Sequence, residues 1–72
     1  MTEMTPVASS LIKAVGYNPE KEELHVLFHK GDEYVYRGVP QAIAMSFERS
    51  PSVGRYFLNN IKGKYEHEEV KV

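Results

Sequence analysis

The 72-residue sequence contains no cysteine, which excludes disulfide stapling, thiolate nucleophiles and cysteine-ligated metal centres. It has no apolar run approaching the ~20 residues of a membrane helix, and its start shows no basic-then-apolar leader pattern. A cytoplasmic location without membrane contact is the expectation. Gly31, Gly38, Gly54 and Gly63 stand singly, so no glycine-rich phosphate loop is present. Ser9, Ser10, His25 and Asp32 supply the letters of a hydrolase triad, but neither a nucleophile elbow nor an oxyanion loop accompanies them. No enzymatic activity and no cofactor are expected. There is no internal repeat and no low-complexity segment.

An excess of charge of one sign is also missing. The formal net charge is −1, which excludes binding to nucleic acid by bulk positive charge. The distribution is less even than the total. Acids gather at Glu20, Glu22 and Glu23 and again at Glu66, Glu68 and Glu69, whereas Arg55 to Lys64 holds three cations and no acid.

What is present is a clear β-hairpin. Leu24, Val26 and Phe28 alternate with polar neighbours, Lys30-Gly31-Asp32 makes a turn, and Tyr34 and Tyr36 resume the alternation on the same face. Upstream, Ser9 to Tyr17 reads as a strand with Ile12, Val15 and Tyr17 inward and a bulge at Gly16. Asn18-Pro19-Glu20-Lys21 has turn chemistry. Downstream, Pro40 opens a helix from Gln41 to Arg49 whose stripe is Ile43, Ala44 and Phe47. Ser50-Pro51 starts a second helix with Val53, Phe57 and Ile61 inward, closed by Gly63. Tyr65 follows the cap and can fold back.

The resulting expectation is an α+β fold in which a three-stranded antiparallel meander is followed by two helices on one face (βββαα). Residues 1–5 are expected to be a flexible N-terminus, residues 6–66 one domain, and residues 67–72 a flexible acidic tail. The other sheet face, with His25, Leu27, His29, Val35 and Arg37, is expected to be largely open to water. A chain this short buries only ~60% of the surface its unfolded form exposes, so each large apolar side chain is needed for stability. His25 and His29 would sit ~13 Å apart along a strand, at ~3.3 Å per residue, too far to share one metal ion. No metal site is expected.

Several of these passages together resemble the KTSC domain: Ser9-Ser10 ahead of Ile12, Val15-Gly16-Tyr17-Asn18-Pro19, Tyr34-Val35-Tyr36 before Val39-Pro40, Gly54-Arg55-Tyr56-Phe57, Asn60-Ile61 and Lys64-Tyr65. The similarity runs from Pro6 to Val70. That family takes its name from the C-terminal extension of some lysyl-tRNA synthetases, also occurs as short stand-alone bacterial proteins, and has a Tyr-x-Tyr centre. The resemblance implies a small binding module, with RNA, tRNA in particular, as the suggested ligand.

Residue chemistry places the expected RNA contacts on the second helix and its exit. Arg55, Lys62 and Lys64 would meet phosphates, Tyr56 would stack on a base, and Asn59 and Asn60 would reach base edges. Gly54 would let a phosphate or another backbone approach the first turn of that helix. Tyr34 and Tyr36 could stack on bases, but they align with Leu24, Val26 and Phe28 and read better as core. The alternative is a protein-interaction module using the open sheet face or an edge strand. A monomer is the expected state.

Overall fold

A computed structural model describes residues 4–70. The elements run β1 (Thr5–Pro6), β2 (Ile12–Asn18), β3 (Glu23–Phe28), β4 (Glu33–Arg37), α1 (Gln41–Arg49), α2 (Val53–Tyr56), a π-helical turn (Phe57–Ile61) and β5 (Glu66–Val70). The strands form one antiparallel sheet in the order β1-β2-β3-β4-β5. Among the described residues no helix is long and apolar enough to cross a membrane.

The α+β class and the two-helix layer agree with the sequence reading, but the strand count is five rather than three. Both additional strands lack the pattern by which a strand is read. β1 has two residues, too few for any periodicity, and pairs Thr5 with Val15 and Pro6 with Ala14. β5 is exposed at every position, so no apolar alternation marks it. Its backbone pairs with β4 from Arg37↔Glu66 to Glu33↔Val70. The stretch from His67 to Val70, expected as a flexible tail, is therefore edge strand, and residues 1–3 and 71–72 of the two expected ends lie outside the described residues.

The central hairpin closes as its turn residues require. Gly31 has φ +105°, a conformation that disfavours side chains, and the Phe28 amide donates to the Asp32 carbonyl at 2.9 Å. The bulge in β2 lies at Lys13 rather than Gly16, because Ile12 faces Phe28 while Ala14 faces Leu27. One extra residue there turns Ile12 and Val15, three apart, onto the same face. Between β2 and β3 the Asn18 carboxamide oxygen accepts from the amides of Glu20 and Lys21 at 3.0 and 3.4 Å.

Ile12, Val15, Leu24, Val26 and Tyr36 form the inner sheet face, and Val39, Ala44, Phe47, Val53, Phe57 and Ile61 close over it. Tyr65, past the helix exit, packs against this core as well. The second helix is not uniformly α: Tyr56 donates to Ser52, whereas Lys62 donates to Phe57 five residues back. A residue spacing of four drifts by ~40° per step in an α-helix, and the wider π turn compensates, keeping Val53, Phe57 and Ile61 all buried. α2 begins after Ser52, two residues beyond the expected cap. Ser50 instead ends α1, and its hydroxyl bridges to the backbone of Ser52.

The outer face is less open than expected. Val35 is buried and His25 and Leu27 are half-buried. β5 makes β4 an interior strand, so Val35 is flanked by His25 on one side and Glu68 on the other.

Candidate nucleic-acid interface

The second helix approaches the loop before β2 so closely that a side chain at Gly54 would meet Ser9. A Cβ built there lies 3.3 Å from the Ser9 hydroxyl and 3.7 Å from Leu11 Cβ. The Ser9 hydroxyl is fixed in turn, accepting from the amides of Leu11 and Ile12 at 3.1 and 3.2 Å. The close approach of the helix to the Ser9 and Leu11 side chains thus favours glycine at position 54. The two segments bound a surface groove into which Ser10, Arg55 and Asn59 also project.

Leu11 and Leu58, 37% and 52% exposed, stand between this groove and a second cleft of about 370 Å³. The second cleft is aromatic. Phe28, Tyr34, Tyr36 and Phe57 line it together with His67, and Lys30, Asp32 and Lys62 complete its walls. Its rings hold one another in place. Phe57 meets Phe28 and Tyr36 edge-on at 5.4 and 5.5 Å, and Phe28 meets Tyr34 edge-on at 5.9 Å. His67 stacks on Tyr36 at 5.3 Å and tilts over Tyr34 at 5.7 Å. Burial, with the Tyr34 phenol alongside, raises the Tyr36 phenol above its ordinary value.

The residues expected on the second helix are divided among three surfaces. Arg55 and Asn59 share the groove beside Ser9, and Lys62 lines the aromatic cleft. Tyr56 stacks on Phe47 at 5.8 Å and faces a groove between the helices that Arg49 and Met45 also line. The Asn60 side chain donates to the Tyr56 carbonyl at 3.3 Å. Lys64 is exposed at the helix exit. Sequence reasoning did not see Lys30, Leu58 and His67 as neighbours. Leu58 carried a signal, an apolar residue off the Val53-Phe57-Ile61 stripe, but the place of His67 depends on a strand with no sequence pattern.

The opposite sheet face has different electrostatics. Arg37 lies between Glu68 at 2.7 Å and Glu23 at 3.5 Å, and the Glu68 hydrogen bond is the main reason its guanidinium holds its proton even more firmly than usual. His25 Nδ1 lies 3.3 Å from Glu33 Oε2. His29, beyond the end of β3, places Nε2 2.8 Å from the Ser9 carbonyl. The two histidines therefore have separate partners, and among the described residues no cluster of three or more His, Cys, Asp or Glu side chains could hold a metal ion.

Comparison with known proteins fits this architecture. Residues 8–65 match the KTSC domain. A crystal structure of a KTSC domain protein from Yersinia pestis superposes with a TM-score of 0.93 at 35% identity, covering 99% of this chain and 100% of that one. An uncharacterized protein of Stutzerimonas stutzeri is 37% identical over 57 residues, 79% of this chain and 80% of its own length. A lysine–tRNA ligase of Nostoc sp. is 36% identical over 61 residues, 85% of this chain, and this chain spans only 11% of that protein's length. A family match over most of the chain, a full-length structural counterpart and relatives of the same size converge, and the chain belongs to the KTSC domain family.

Proposed function

We propose that this KTSC domain is a non-enzymatic RNA-binding module that contacts its ligand through the second helix and its exit. The observation that carries the reading is the segregation of charge between the two sides. Arg55, Lys62 and Lys64 are exposed in a stretch with no acid, whereas the outer sheet face sets Glu23, Glu33 and Glu68 around Arg37 and His25. Phosphates are attracted to the first and repelled by the second. Arg55, Lys62 and Lys64 act as phosphate contacts, Asn59 and Asn60 reach base edges, and Tyr56 offers the side that lines the groove between the helices. The relatives named lysine–tRNA ligase make tRNA the first ligand to try. An edge strand open to a protein partner is the competing feature, since β5 has a free side, but its row of Glu66, Glu68 and Glu69 discourages strand addition.

Binding of labelled tRNA across a salt series tests the reading. Affinity should fall steeply as salt rises, and Arg55→Ala or Lys62→Ala should each weaken binding and reduce the slope by about 1. Salt-independent binding, or none at millimolar RNA, would overturn it.

A further inference from the structure

We infer that the aromatic cleft between β5 and the helix exit receives one unstacked base of a single-stranded RNA segment, with Lys30 and Lys62 on the flanking phosphates. This rests on the RNA-binding reading and assigns it a base site separate from the Arg55 groove. The volume of about 370 Å³ lies in the ~300–1,000 Å³ range of pockets that take small ligand groups. Phe57 and Tyr36 are themselves buried, and the edge-on chain from Phe57 through Phe28 to Tyr34 fixes the half-buried Phe28 and Tyr34, so a base would meet a surface already formed. His67 is exposed while stacked on Tyr36 and tilted over Tyr34, so a base reaching the cleft would add to an aromatic cluster already open to solvent. The lip is formed by Leu11 and Leu58, whose exposure has no role in the core.

The polar rim favours an anionic ligand. Two lysines face the cleft against the single carboxylate of Asp32. Bases within a duplex are already stacked and paired and cannot enter, whereas a single strand can present one sideways to aromatic rings. The juxtaposition of an aromatic floor and two cations thus selects single-stranded RNA over duplex.

Tyrosine emission, free of tryptophan in this chain, reports the event when read as the part of the quenching that the cleft variants remove, since Tyr34 and Tyr36 are the tyrosines that line the cleft. Octauridylate and octaadenylate should bind with quenching of that emission, and a GC-rich duplex should bind more weakly and quench less. His67→Ala and the charge-neutral Leu58→Ala, both at exposed positions, should retain a folded amide spectrum. Each should weaken single-strand binding at least 5-fold, the change that loss of ~1 kcal/mol of base stacking gives. If both variants bind and quench like the parent while Arg55→Ala weakens binding, the cleft assignment fails and the RNA reading stands. Duplex binding as tight as single-strand binding would overturn base insertion. If neither oligonucleotide nor tRNA binds at millimolar concentration, both readings fall and a protein partner takes their place.

Discussion

The imidazole of His67 lies against the ring of Tyr36, centroids 5.3 Å apart and planes inclined by 30°, so β5 is joined to the core by a side chain as well as by its pairing with β4. Ending the chain after Tyr65 should therefore destabilise the domain. We expect the melting temperature to drop by more than ~8 °C, the upper shift for ~1 kcal/mol in a domain of this size. The bare β4 edge should also promote self-association in sedimentation.

Phe57 is the keystone of the aromatic packing, buried and in contact with Phe28, Tyr36 and Phe47. Phe57→Ala should cost ~3–5 kcal/mol, a large part of the ~5–15 kcal/mol available to a small domain. Loss of amide dispersion near room temperature would report it. Phe28→Ala should cost less, since Phe28 is only half-buried.

The Tyr17 hydroxyl donates to the Val39 carbonyl at 2.6 Å, tying β2 to the entry of α1. Tyr17→Phe should cost ~0.5–1.5 kcal/mol in chemical denaturation. The Tyr17 phenol also has a pH signature. Burial, followed by the charge of Glu22, raises the Tyr17 phenol above its ordinary 10.0, and burial does the same for Tyr36. A phenol whose folded value is raised holds its proton more tightly in the native state. The stability it contributes is whole below pH 10 and is lost as the pH rises through the folded value. Alkaline melts should show this decline, and Tyr17→Phe should shallow it.

Gly54 and Ser9 should be energetically coupled. Gly54→Ala alone gains helix propensity but pushes on a hydroxyl fixed by two amides, so it should lower the melting temperature. In a Ser9→Ala background the obstruction is gone and Gly54→Ala should be neutral or stabilising. A double-mutant cycle should give a coupling of ~1 kcal/mol. Additive effects would show that the loop yields freely.

The elements with a strong local pattern were legible without coordinates. Alternation alone marked Leu24 to Tyr36 as a hairpin, and α1 runs from Gln41 to Arg49 as the apolar stripe requires. Tertiary structure decided the rest because the deciding forces were not local. β5 exists by backbone pairing with a strand distant in sequence, β1 is only a two-residue pairing with the neighbouring strand, and backbone hydrogen bonds of either kind leave no periodicity behind. The bulge at Lys13 appears only when β2 is laid on β3. The candidate site follows the same division. Its cations on the second helix could be read from the absence of acids between Arg55 and Lys64. Its aromatic cleft could not, because Tyr34, Phe57 and His67 are on three elements and meet only when the helix exit and the last strand close around the sheet edge.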